Sequence, residues 1–157
     1  MTEPDGKRPQ ETDCAGVSPS SVPSGVARVL IVDDNDADAE LFARMLRKGD
    51  ASGAFACSRA SDSVSALLQI SALEPHAILL DLGLPDASGL SALREILAAR
   101  PQMPVVVITG CDQRGIGLDA VRAGAQDYLL KEDAARAPIL KSIRYAIERA
   151  RATAVRR

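Results

Sequence analysis

From position 28 onward the chain alternates two apolar patterns. Short runs at 29–32, 55–58, 77–80, 105–108 and 127–130 have the length and character of strands buried on both faces. Between them, apolar residues recur three and four apart. Leu41, Phe42, Met45 and Leu46 share one face of a first helix, and Leu90, Leu93, Ile96 and Leu97 share one face of a third. Ser61 and Ser88 are the expected N-caps of the second and third helices, because a serine hydroxyl accepts from the open amides of a first turn. A fourth helix over 113–123 carries Gly115 and Gly117, each costing about 1 kcal/mol against alanine, and should be the least stable. The last, from Asp133, aligns Ile139, Leu140, Ile143 and Ile147, then runs into Arg149, Arg151, Arg156 and Arg157, cations suited to the negative end of a helix dipole. Five strands alternating with five helices predict an α/β fold: a doubly wound, five-stranded parallel sheet with right-handed crossovers and helices on both faces.

Residues 1–25 break this pattern. Pro4, Pro9, Pro19 and Pro23 stand among Ser, Gly and scattered charge with no apolar run to pack, so a disordered tail is expected there. One domain is expected over 26–150, followed by a basic helical extension or tail at 151–157. Aromatic residues make up only 3% of the chain and Trp is absent, leaving little to stack on bases or a flavin. The net charge of −2 supplies no field for a polyanion, so nucleic acid is not an expected partner. Cys14, Cys57 and Cys111 are odd in number and lack metal-type spacing, which fits a reducing compartment. Neither a membrane span nor a secretory core is evident, so a cytoplasmic protein without a membrane partner is expected.

In a sheet of this kind, ligands bind outside the carboxyl ends of the strands. Here those ends are acidic: the first run exits into Asp33 and Asp34, and the third into Asp81. A lone strand-end aspartate is ordinarily a turn or cap residue. Three in one cleft repel one another unless a cation neutralises them, and oxygen-only ligands favour Mg²⁺ or Mn²⁺ over zinc. The fourth run exits into Thr109 and the fifth into Lys131, a hydroxyl and an ammonium that complement phosphoryl oxygens. It is the combination of five, rather than any one member, that points to phosphoryl chemistry.

These residues sit in Val-Asp-Asp at 32–34, Leu-Asp-Leu-Gly-Leu-Pro at 80–85, Ile-Thr-Gly at 108–110 and Tyr-Leu-Leu-Lys at 128–131. Residues 27 to about 150 thereby resemble a bacterial response-regulator receiver domain. The resemblance implies strand order 2-1-3-4-5. It makes Asp81 the phosphoacceptor, taking a phosphoryl group from a histidine kinase or histidine phosphotransfer protein. Asp33, Asp34, Asp81 and the backbone carbonyl of Gly83 become ligands of Mg²⁺, and Thr109 and Lys131 become phosphoryl-binding groups. Tyr128 matches the family's switch aromatic, expected to turn inward as Thr109 moves toward the phosphoryl group.

Two positions depart from the family pattern. Glu132 stands where relatives place Pro, and a cis bond there would cost about 2.5–4 kcal/mol, so a trans or remodelled turn is expected. Gly83 and Gly110 leave space beside the acceptor where relatives often carry more.

Other readings fit less well. A Mg²⁺-dependent aspartyl-nucleophile phosphatase is the strongest enzyme alternative, but the haloacid dehalogenase type needs an acid two residues after the nucleophile, where this chain has Gly83. Asp-Asp-Asn-Asp after the first strand would repel a dinucleotide's pyrophosphate. A sensor kinase is disfavoured because the only histidine, His76, lies at the opposite end of the third strand. The stretch after Lys131 is too short for a DNA-binding or catalytic output domain, so a single-domain switch acting through protein contact is expected, not an enzyme. The expected contact surface is the fourth helix, fifth strand and last helix. That last helix equally suits a homodimer face or simple coverage of the sheet.

Overall fold

The computed structural model of the chain describes residues 26–51, 53–84, 90–110, 114–133 and 136–156. The chain alternates strictly: β1 (Ala27–Val32), α1 (Asp36–Lys48), β2 (Phe55–Ala60), α2 (Ser63–Leu73), β3 (Ala77–Asp81), α3 (Ser91–Ala99), β4 (Val105–Thr109), α4 (Arg114–Ala123), β5 (Asp127–Leu130) and α5 (Arg136–Arg156). A 3-10 turn at Lys131–Asp133 joins the last two. The strands form one parallel sheet in the order β2-β1-β3-β4-β5, as the resemblance implied.

Strand residues alternate between faces, so each central strand feeds two cores. Val29 and Ile31 of β1, Leu79 of β3 and Val106 and Ile108 of β4 pack with Phe42 and Leu46 of α1 and Ile139, Leu140 and Ile143 of α5. Leu30, Val32, Ile78, Leu80, Val105 and Val107 face the other way, toward Ile70 of α2, Leu93 and Ile96 of α3 and Ala120 of α4. This double burial is why 29–32 of β1, 77–80 of β3 and 105–108 of β4 read as unbroken apolar runs. Each fully buried Leu or Ile contributes about 1.5–3 kcal/mol against exposure.

Three local expectations change. Asp62, not Ser61, caps α2, its carboxylate accepting from the Ser65 amide at 2.8 Å; the two residues compete for one position and the charged acceptor takes it. Leu90 precedes α3 without a side-chain cap bond, and Ser88 lies outside the described residues. Leu41 is 42% exposed because the buried line of α1 runs through Ala39, Phe42, Ala43 and Leu46, a quarter-turn away.

The tail at 1–25, Cys14, Cys111 and Gln113 also lie outside the described residues. Cys57 is buried, its thiol turned to the Ala43 carbonyl. His76 is structural: its Nδ1 accepts from the Arg28 amide at 2.9 Å, and burial, then the charges of Arg28 and Arg151, lower its pKa. The helical extension at the C-terminal end continues α5 to Arg156. Among the described residues no peptide bond is cis, and none of the helices is long and apolar enough to cross a membrane.

Candidate functional site

Parallel pairing puts the exits of β1, β3, β4 and β5 on one edge. Val32 pairs with Leu80, Asp81 with Ile108 and Thr109 with Leu130, so Asp33, Asp81, Thr109 and Lys131 leave the sheet within a step of one another. Carboxylate oxygens of Asp33, Asp34 and Asp81 lie within 4.8 Å of one another. Asp33 and Asp81 are buried, whereas Asp34 is exposed and closes the group from the solvent side.

The Lys131 ammonium binds this group together. Its Nζ stands 3.1 Å from Asp81 Oδ2 and 3.5 Å from Asp33 Oδ2. Its shortest contact, 2.8 Å, is to Asp38 Oδ2 on the first turn of α1. Burial lowers the Lys131 pKa, but the hydrogen bond to Asp38 and the charges of Asp33 and Asp81 outweigh it and hold the ammonium above its usual value. The other oxygen of Asp81, Oδ1, accepts from the Gly83 amide at 3.0 Å. Gly83 thus meets Asp81 through its N–H, the opposite pole to the carbonyl expected to serve a cation. A Cβ at Gly83 would lie 3.6 Å from that same oxygen, an ordinary contact.

Asp33 Oδ1 accepts from the Asn35 amide at 2.9 Å, while Oδ2 is buried without a hydrogen-bond partner among the described residues. Burial, partly countered by the Asn35 bond, and then the Asp81 charge push Asp33 up to about 6. A buried carboxylate oxygen with no hydrogen bond and only a long ion pair to Lys131, facing two further acids, fits a hard divalent cation, which would repay the desolvation.

A pH dependence follows, with a definite sign. Folded Asp33 holds its proton to about pH 6, whereas the ordinary value is 3.8. Between those values the folded state binds more protons, so stability falls as pH rises through the window and stays low above it. Without divalent cations at pH 7, Asp33→Asn is expected to be about 1–3 kcal/mol more stable than wild type, the gap closing toward pH 4. Urea unfolding of both proteins in chelator measures it.

Thr109 is fully buried and its hydroxyl donates to the Gly110 carbonyl at 3.1 Å. Register and the shared edge, not a hydrogen bond, bring it beside the acids. Tyr128 is half-buried against the α2–α4 core, its ring over Gly117 of α4. A Cβ at Gly117 would come within 2.5 Å of Tyr128 Cδ2. Gly117→Ala should therefore displace the ring and cost about 1 kcal/mol, overpacking exceeding the gain in helix propensity. In a Tyr128→Ala background the same change should stabilise, because only the propensity gain remains. Denaturant titrations of the four proteins check both signs.

Sequence reasoning missed two residues. Asp38 reads as an acid placed for the dipole of α1, and nothing local links it to a lysine 93 positions away. Arg59, on β2, donates to the Asp33 backbone carbonyl at 3.0 Å and pairs with Asp36 at 2.7 Å, steadying the loop that carries the acids. An arginine at a strand end beside an acidic loop was the available signal.

Fold and site define a flavodoxin-like α/β protein with an acidic pocket at the carboxyl edge of its sheet. Residues 29–144 match the response regulator receiver domain family, and the chain belongs to it. It is 35% identical over 104 residues to the response regulator GacA of Pseudomonas protegens, covering 66% of this chain and 48% of that one. The chemotaxis protein CheY of Thermotoga maritima is 29% identical, covering 66% of this chain and 84% of that one. Among solved structures, a response regulator receiver domain protein from Clostridium thermocellum superposes with a TM-score of 0.72 at 25% identity, covering 82% of this chain and 99% of that one. The chain spans about half the length of GacA.

Proposed function

We propose that this domain is a phosphorylation-controlled switch in which Asp81 accepts a phosphoryl group from a phosphohistidine on a histidine kinase or histidine phosphotransfer protein. The observation that carries the reading is the Lys131 ammonium 3.1 Å from Asp81 Oδ2, beside a buried Asp33 Oδ2 that has no hydrogen bond. Asp33, Asp34, Asp81 and the Gly83 carbonyl would hold Mg²⁺, with Mn²⁺ an alternative of similar preference. When bound, the ion neutralises charge on the transferring oxygens.

The chain's own residues do the rest. Gly83 N–H and Lys131 fix the Asp81 carboxylate, which removes orientational freedom from the nucleophile. One of its oxygens bonds to phosphorus as the bond to the donor nitrogen breaks, the electron pair leaving with the imidazole. Lys131 stays beside the transferred group. Thr109, rotated from the Gly110 carbonyl, supplies its hydroxyl to a phosphoryl oxygen, and Tyr128 responds over Gly117.

Output is then a change in the α4, β5 and α5 surface, where Leu118 and Val121 stand 51% and 40% exposed, in favour of a protein partner or a homodimer rather than nucleic acid or membrane. The reading takes the domain as a cytoplasmic phosphorylation switch without turnover of other substrates.

Incubation with acetyl phosphate, with and without Mg²⁺, followed by intact mass measurement tests it. One Mg²⁺-dependent phosphoryl increment supports the switch. Sustained phosphate release from unrelated phosphate esters, with no lasting increment, would favour an aspartyl-nucleophile phosphatase.

A further inference from the structure

Lys131 has three N–H donors, and its nearest acceptor is not the phosphoacceptor. Asp38 Oδ2 lies at 2.8 Å, Asp81 Oδ2 at 3.1 Å and Asp33 Oδ2 at 3.5 Å. Asp33 and Asp81 are the inner carboxylates, with side chains 1% and 8% exposed, and Asp38 is the outer one at 34%. The Asp38 backbone is fixed as well, because Asn35 Oδ1 caps its amide at 2.9 Å while the Asn35 amide bonds Asp33 Oδ1. One short loop therefore sets the positions of both Asp33 and Asp38.

We infer that Asp38 is a positioning residue for phosphoryl transfer, holding the Lys131 ammonium in place while the Asp81 carboxylate reacts. The inference rests on the reading of Asp81 as phosphoacceptor. With acetyl phosphate, an oxygen of Asp81 bonds to phosphorus, the phosphorus–oxygen bond to acetate breaks, and acetate departs with the electron pair. No proton or further reactant is needed. Asp81 becomes an acyl phosphate and its carboxyl carbon no longer carries a carboxylate, so the ion pair that drew Lys131 toward it is lost in that step. Asp33 would be taken up in holding the cation that the same reading implies. Of the three acceptors of Lys131, Asp38 alone neither reacts nor serves as a ligand in that reading, and one N–H anchored there leaves the other two for the transferring oxygens. A lysine side chain is otherwise long and rotationally free, so an ammonium without that anchor reaches the reacting geometry less often.

The test is uptake from acetyl phosphate by the full chain in saturating Mg²⁺, followed by intact mass over a range of donor concentrations. Asp38→Asn is expected to lower the maximal rate about tenfold while leaving the donor half-saturation within about twofold. Asp38→Glu should recover most of the rate. In a Lys131→Ala background, Asp38→Asn should change nothing further, because the group it positions is gone. Thermal melts separate any loss of fold from loss of rate. A wild-type rate in a folded Asp38→Asn protein, or an equal loss with and without Lys131, overturns the inference while leaving Asp81 as acceptor. Absent uptake by wild type, or full uptake by Asp81→Asn, overturns the underlying reading and this inference with it.

Discussion

Asp81→Asn is expected to bring phosphoryl uptake from an acyl phosphate down to background, a loss of at least about three orders of magnitude, because an amide oxygen is a far weaker nucleophile than a carboxylate. The fold should survive the change. Asn has the shape of Asp, its amide oxygen can still accept from the Gly83 N–H now 3.0 Å from Asp81 Oδ1, and β3 on either side of the pocket remains packed. Removing one of two adjacent buried carboxylates also relieves Asp33, whose proton affinity is raised in part by the Asp81 charge. The variant should therefore melt no lower than wild type in chelator while taking up nothing. Intact mass and thermal melts on the same sample read both halves.

Lys131→Ala is expected to move two quantities in opposite directions. Transfer should slow by about a hundredfold, since the ammonium beside Asp81 Oδ2 stabilises charge that develops on the phosphoryl oxygens. Mg²⁺ should bind several-fold more tightly, because a competing positive charge 3.1–3.5 Å from two of the carboxylates proposed to hold it is gone. Calorimetric titration gives the second quantity and single-turnover uptake the first. Weaker Mg²⁺ binding in this variant would mean that Lys131 organises the acids more than it competes for them.

Much of the fold was legible because 29–32 of β1, 77–80 of β3 and 105–108 of β4 are covered on both faces and so carry no polar residue until the carboxyl edge of the sheet. The same fact made the site legible: the first polar residues after Val32, Leu80, Ile108 and Leu130 are Asp33, Asp81, Thr109 and Lys131, and parallel order puts them on one edge. What stayed hidden depends on contacts without a local period. Asp38 serves the dipole of α1 and Lys131 at once, and only the second role matters to the pocket. Gly117 reads as a weak point of α4, yet its missing side chain is the space that the Tyr128 ring occupies. Ser61 and Asp62 are both good caps in sequence, and the choice between them is a one-residue matter of helix phase.

The most direct measurement is peptide-resolved mass spectrometry of the wild-type chain after acetyl phosphate and Mg²⁺, with and without hydroxylamine. The account predicts one phosphoryl group on the peptide that contains Asp81, formed only with the divalent ion and released by hydroxylamine, as an acyl phosphate must be. A phosphoryl group on any other peptide, one stable to hydroxylamine, or one formed equally well in chelator would contradict it.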